Sequence, residues 1–268
     1  MKTKRLQDIE NYVISHEIAS LDELCQKFHV SKNTIRRDIN TILKRGTIKK
    51  VYGGVTVADP GLIPFSERDT SNQIEKIAIS KCAAQFIEEN DIVFIDSGTT
   101  TRHIVDFIPA TISATLVTNN LDIINSAAPL NNLRVIIVGD VYKRETNSFI
   151  SLDNQNIFDK FNIDKAFMAT TGLSLSHGVT NSDFLEFPIK KEIVSKANKL
   201  FVLADHSKFD HYTLLTYLNF DRVDALITDK PLKNEYATYC KEHKIKVYQT
   251  AEENVPENNT TSGPKHPV

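Results

Sequence analysis

Cysteine is scarce in this chain: Cys25, Cys82 and Cys240 are the only three among 268 residues. Odd in number, far apart and each set in a helix-like stretch with apolar neighbours, they exclude a disulfide framework and predict packed thiols. No two cysteines or histidines stand at a zinc-type spacing beside a turn, so neither a metal nor any other cofactor is expected. Glycine and proline number nine each, too few for a collagen-like or low-complexity chain. Long apolar runs are missing too; segments such as Val135–Val138 fall far short of the roughly 20 residues that span a bilayer. The opening MKTKRLQDIENYV interrupts its apolar residues with charges, so it lacks the core of a signal peptide and predicts a cytoplasmic protein without membrane contact. On that expectation the Asn-x-Thr sequons at Asn258 and Asn259 carry no sugar.

What is present is average in bulk, 41% hydrophobic and 25% charged, as in soluble globular proteins. The length suits two domains, one with a substantial core. The net charge of −2 conceals a division: up to Val57 eleven Lys or Arg face six Asp or Glu, giving +5, which leaves −7 for the remainder. A basic end of this kind points to an anionic partner.

Within that end Leu6, Ile9, Val13 and Ile14 recur at helical spacing, predicting an amphipathic helix that closes near His16. Ser20 and Glu23 form the pattern of a capping box, opening a second helix at Leu21 whose apolar face is Leu21, Leu24, Cys25 and Phe28. After the short turn His29-Val30-Ser31, Ser31 caps a third helix that buries Ile35, Ile39, Ile42 and Leu43. The opposite face shows Lys32, Asn33, Thr34, Arg36, Arg37 and Asn40. Arg and Asn make paired hydrogen bonds to base edges in the major groove, while Lys, Thr and a helix N-terminus contact phosphates. A glycine-punctuated β-prone stretch from Ile48 to Val55, with Lys49, Lys50 and Tyr52, reads as a wing along the DNA backbone. A generic three-helix bundle with a basic surface is the plainer alternative, but caps, turn length, apolar stripe and polar face all agree on a helix-turn-helix.

Residues 58–66, with Pro60, Gly61 and Pro64, have the composition of an interdomain connector between a DNA-binding domain at 1–57 and a second domain at 67–250. Beyond it, strand-like runs at 92–95, 115–118, 135–138, 166–169, 200–204 and 225–228 alternate with helical stretches, which predicts a Rossmann-like α/β domain with a parallel sheet. Polar clusters follow these strands, where open α/β sheets bind ligands. Asp96, Ser97, Gly98, Thr99 and Thr100 form a hydroxyl-rich turn suited to cradling a phosphate. Asn119, Gly172, Asp183, Glu186, Asp205 and Lys208 follow other strands and are expected to converge on it, the lysine answering an anionic ligand. The polar, Pro- and Asn-rich stretch 251–268 is expected to be a disordered tail.

Ser31–Asp38 (SKNTIRRD) together with Val51–Gly54 (VYGG) resembles the signature of the DeoR family of bacterial sugar-metabolism regulators. The resemblance runs from about Arg5 to Asp229. It implies that Ser31–Arg37 lie in a recognition helix, with Thr34, Arg36 and Arg37 as DNA contacts, and that the second domain is similar in fold to ribose-5-phosphate isomerase and senses phosphorylated sugars. The same resemblance makes Ser97–Thr100 a phosphate loop and Asp205, Lys208, Asp183 and Glu186 ligand contacts. Asp140 departs from the family, where a second glycine often follows Gly139. The wording of Leu21–Cys25, Val93–Thr101 and Leu214–Tyr217 is similar to the branch that represses myo-inositol catabolism, implying a phosphorylated sugar or sugar-acid intermediate as effector. Double-stranded operator DNA and a second copy of the chain, in a homodimer or homotetramer, are the expected partners. The rival expectation is an isomerase-like enzyme with an appended DNA-binding domain, drawing an acid–base pair from Asp183, Glu186 or Asp205 near Lys208.

Overall fold

The protein is described here by a computed structural model that covers residues 2–16, 18–43, 48–51, 54–57, 65–151 and 161–250. The tail from 251, the connector residues 58–64 and Tyr52 therefore lie outside the described residues. Two compact units divide between Pro64 and Phe65, a point inside the stretch whose composition reads as a connector.

The first unit follows from its caps and stripes. Helix α1 (Lys2–His16), strand β1 (Ile18–Ser20), helix α2 (Leu21–Phe28) and helix α3 (Lys32–Ile42) precede the hairpin of β2 (Ile48–Val51) and β3 (Gly54–Val57). Ser20 and Glu23 satisfy each other's backbone N–H groups as a capping box, and His29 ends α2 in the left-handed conformation at φ 52°. Ser31 Oγ accepts from the Thr34 N–H at 3.3 Å to open α3. Leu6, Ile9, Val13, Leu24, Ile35, Ile39 and Ile42 close one core beneath. The wing gains a strand that periodicity does not reveal: β1 pairs antiparallel with β3, giving the order β1-β3-β2.

The second unit opens with α4 (Phe65–Thr70) and α5 (Gln73–Ala84), then β4 (Ile92–Ile95), β5 (Ala114–Thr118), α6 (Leu121–Ala127) and β6 (Leu133–Ile137). A hairpin, β7 (Val141–Lys143) and β8 (Ser148–Ile150), intervenes before β9 (Lys165–Ala169), β10 (Gly172–Ser174), β11 (Gly178–Asn181) and α7 (Phe187–Lys196). The chain continues through β12 (Lys199–Leu203), β13 (Leu215–Leu218), β14 (Ala225–Thr228), α8 (Asn234–Glu242) and β15 (Lys246–Gln249). Seven strands form one parallel sheet in the order β15-β14-β12-β9-β4-β5-β6. Strand alternation splits the core between its faces: Phe94, Ala166, Met168 and Val202 join one cluster, Val93, Ile95, Phe167 and Phe201 the other. Helices α7 and α8 supply the first face; α5, α6 and a 3₁₀ turn at Thr101–Phe107 supply the second. A small antiparallel sheet, β10-β11-β13, lies outside this frame.

Chain direction through the sheet fixes where a ligand can enter. From β4 the chain moves outward through β5 and β6, then returns to place β9 on the other side of β4. The crevice beyond the carboxyl ends of β4 and β9 is thus a topological switch point, the position at which open α/β sheets bind ligands.

Candidate functional site

The first unit presents a polar surface along α3. Ser31, Lys32, Asn33, Arg36, Arg37 and Asn40 are exposed and Thr34 is half-buried, its hydroxyl 3.0 Å from that of Ser31. Arg36 and Asn40 line one depression together with Lys50 of the wing, Leu21, Ile39, Gly54 and Val55, so the helix and the wing contribute cationic groups to the same surface. Lys32 is shared with Asp22 in an exposed ion pair, a contact worth little in water. Asp38 is buried and accepts from Arg5 Nε at 2.8 Å, which ties α1 to α3 and raises the pKa of that guanidinium. Lys49 lies on β2.

In the second unit the ends of β4 and β9 meet as the topology requires. Arg68, Ser97, Gly98, Thr99, Thr100, Ala169, Thr170, Thr171, Asn181, Glu186, Lys190 and Lys208 line one crevice. The turn after β4 is shaped by close packing: a Cβ on Gly98 would stand 2.3 Å from the Ala169 Cβ, so only glycine lets the two strand ends approach. Thr101 Oγ1 donates to the Asp96 carbonyl at 2.6 Å, and the Arg102 N–H closes on the Gly98 carbonyl at 3.1 Å. The chain then enters a 3₁₀ turn over Thr101–Phe107, in which the His103 N–H closes on the Thr100 carbonyl three residues back. Among the described residues nothing accepts a hydrogen bond from the N–H groups of Gly98, Thr99 or Thr100. A run of unsatisfied N–H groups is an anion cradle.

Charge surrounds that cradle. Asp96 is buried beneath it, accepting from the Ala169 N–H at 2.9 Å and from Lys190 Nζ. Burial outweighs Lys190 in holding the Asp96 carboxyl above the usual range. A pair with that balance rarely contributes net stability, so its position under the cradle points to function. Lys190 also lies 5.4 Å from the ring centroid of Tyr217, whose hydroxyl donates to the Ala169 carbonyl at 2.8 Å. Glu186 Oε1 accepts from Ser97 Oγ at 2.6 Å and from Ser148 Oγ at 2.8 Å, binding the cradle to β8. Lys208 is 4.0 Å from Asp205; Asp205 itself accepts from Asn72 Nδ2 at 3.0 Å and the Ser207 N–H at 2.9 Å. Burial works to raise the Asp205 pKa, but Lys208 and these donors leave it lowered. Lys76, buried nearby, is brought down to about 8 by desolvation and by Lys208.

Of the residues the sequence proposes, Ser97, Gly98, Thr99, Thr100, Glu186 and Lys208 line the crevice, and Asp96 and Asp205 support it from beneath or beside. The remaining three do not line the crevice, each for a structural reason. Gly172 is paired within β10, where a Cβ would stand 2.6 Å from the His211 carbonyl. Asn119 donates to the Phe149 carbonyl at 3.1 Å, fastening β8. Asp183 is engaged by Lys143 and by the Leu185 and Glu186 N–H groups at 2.8 and 3.0 Å. Asp140, where the family often has glycine, donates its N–H to the Ile150 carbonyl at 3.0 Å. Arg68 and Lys190 also line the crevice, and no sequence motif points to either. Lys190 meets Asp96, 94 residues away in the chain, a pairing that no local spacing signals.

Family models agree with both units: the DeoR-like helix-turn-helix domain matches residues 5–60 and the DeoR C-terminal sensor domain matches residues 71–230. The chain belongs to the DeoR family. It is 52% identical over 249 residues to the HTH-type transcriptional regulator IolR of Bacillus subtilis, covering 92% of this chain and 99% of that one. Similarity of 25% over 247 residues joins it to the glycerol-3-phosphate regulon repressor of Escherichia coli, with 92% and 98% covered. Among solved structures, ribose 5-phosphate isomerase A of Methanocaldococcus jannaschii aligns at 14% identity and a TM-score of 0.39, over 52% of this chain and 55% of that one. The protein is accordingly a DNA-binding transcriptional regulator, and no helix among the described residues is long and apolar enough to cross a membrane.

Proposed function

We propose that this regulator represses a carbohydrate-catabolic operon, that of myo-inositol breakdown, and leaves its operator when the crevice of the sensor unit takes up a phosphorylated sugar or sugar acid. The carrying observation is the cradle at Gly98–Thr100, whose N–H groups have no acceptor among the described residues and whose residues line one crevice with Arg68, Lys190 and Lys208. A phosphate ester supplies the acceptors and the negative charge these groups require, and Asn181, Thr170 and Thr171 supply partners for sugar hydroxyls. The similarity to IolR supports the choice of operon. The exposed face of α3, with Lys50 beside it, supports operator reading in the major groove with the wing on the backbone.

The carboxylates that an isomerase would draw on are already engaged: Glu186 by two hydroxyls, Asp183 by Lys143 and backbone, Asp205 by Asn72 and Ser207. That favours sensing over turnover. Lys208→Ala tests the reading. A contact between its ammonium and a desolvated ligand anion is worth about 1.5–3 kcal/mol, roughly ten- to a hundredfold in effector affinity. Titrating phosphorylated metabolites against the operator complex should show the variant needing that much more for half release. Equal values would remove Lys208 from the site, and accumulation of product in the same tubes would restore the enzyme reading.

A further inference from the structure

Helix α4 is the first element of the sensor unit and follows residues 58–64 directly in the chain. It is fastened to the anion cradle through side chains. Asp69 accepts from Arg102 Nε at 2.7 Å and Nη2 at 2.8 Å, and the Arg102 N–H in turn closes on the Gly98 carbonyl at 3.1 Å. Lys76 Nζ donates to the Arg68 carbonyl, fixing the helix end against α5. Between these anchors the Arg68 side chain reaches the crevice and lines it with Ser97, Gly98, Thr99 and Thr100. Burial lowers the Arg68 pKa against the pull of Glu186, Asp183, Asp69 and Asp96, yet a guanidinium keeps its charge in a protein. A desolvated guanidinium fork matches the paired oxygens of a phosphate.

We propose that Arg68 is the residue through which effector occupancy reaches the connector: the bound anion is held between the Ser97–Thr100 loop and the Arg68 guanidinium, so α4 is docked more firmly with effector than without. The inference rests on the sugar-phosphate reading above. A ligand shifts an equilibrium only by the difference in its affinity for the two states. Arg68 supplies that difference, because its contact with the anion exists only while α4 lies against the cradle. Lys190 lies on α7 and the backbone N–H groups on the turn after β4, so their contacts with an anion do not themselves depend on where α4 lies.

Amide hydrogen exchange on the full-length protein, read by mass spectrometry with inorganic phosphate as the probe, tests this. In the wild type, phosphate should slow exchange in segments 97–107 and 65–70 together. In Arg68→Gln the cradle segment should need roughly ten- to a hundredfold more phosphate, and segment 65–70 should stay unresponsive even when the cradle is saturated. Arg68→Lys keeps the charge but loses the fork, and should restore part of the α4 response; it decides the matter if the Gln variant does not fold. Protection of 97–107 without any response of 65–70 in the wild type would overturn the inference while leaving the sensor reading intact. A response of 65–70 in both variants equal to the wild type would also overturn it. If neither segment responds in the wild type, the sensor reading and the inference fall together.

Discussion

Arg36 and Arg37 are both exposed on α3, and Arg36 shares its depression with Asn40 and Lys50. Each arginine is free of the packing that holds Ile35 and Ile39, so substitution removes a contact to DNA rather than a piece of the core. Arg36→Ala or Arg37→Ala should cost about 1–3 kcal/mol of operator affinity by gel shift, whereas Lys50→Ala should weaken all DNA alike and reduce the salt slope by about one. Unchanged operator affinity in both arginine variants would contradict the assignment. Lys76 makes a prediction of another kind. Its pKa, brought to about 8 by burial first and by Lys208 next, leaves it partly neutral near pH 8. An anion arriving beside Lys208 favours the charged form and raises that pKa, so binding at pH 8 to 9 should take up protons. Calorimetry in two buffers of different ionisation enthalpy measures the uptake. Affinity should fall as pH rises through that range, and proton release on binding would contradict the placement.

At the scale of elements, Glu186 is a junction. Its carboxylate joins the β4 turn at Ser97 to β8 at Ser148, while its N–H is capped by Asp183, which Lys143 ties to β7. Glu186→Ala leaves the buried Ser97 hydroxyl without its acceptor, a loss of about 1–3 kcal/mol, while Ser148 Oγ can still donate to Thr146 Oγ1 at 2.8 Å. Urea unfolding should show a fall of that order, with Glu186→Gln, which keeps an acceptor oxygen, losing less; equal stability of all three proteins would refute the junction. This arrangement was only partly legible beforehand. Strands β4, β5, β9, β12 and β14 announce themselves as apolar runs because both of their faces are buried, and the hydroxyl-rich turn after β4 follows from strand-end logic. Strand β15, with Lys246, Val247 and Gln249 exposed at the sheet margin, has no such run. Hairpin β7-β8 and the sheet β10-β11-β13 are built from strands of three or four residues, too short for periodicity to register. Arg68 was hidden for a different reason: it lies before the first strand, in a helix near the connector, where a search of strand ends does not look.

For the molecule as a whole, charge and apolar surface are divided between the units. The basic residues gather up to Val57, where the total is +5. The exposed large hydrophobics, Ile74, Ile137, Val141, Tyr142, Phe184, Leu185, Tyr212, Leu214 and Val247, all belong to the sensor unit among the described residues. A helix-turn-helix of this size reaches useful affinity as a symmetric pair, and this distribution makes the sensor unit the expected seat of pairing. Residues 65–250 expressed alone should therefore associate in analytical ultracentrifugation; a monomer beside a dimeric full-length protein would move the interface to the first unit. The central claim joins the two ends, an operator held by α3 and released through the cradle at Gly98–Thr100. It is tested most directly by fluorescence anisotropy of labelled operator DNA, titrated with phosphorylated intermediates of inositol breakdown and with the same compounds lacking phosphate. Release by a phosphorylated compound, with its dephosphorylated counterpart inert at the same concentration, is the predicted result. Release by both forms at equal concentrations, or tighter binding in the presence of the phosphorylated one, would contradict the account.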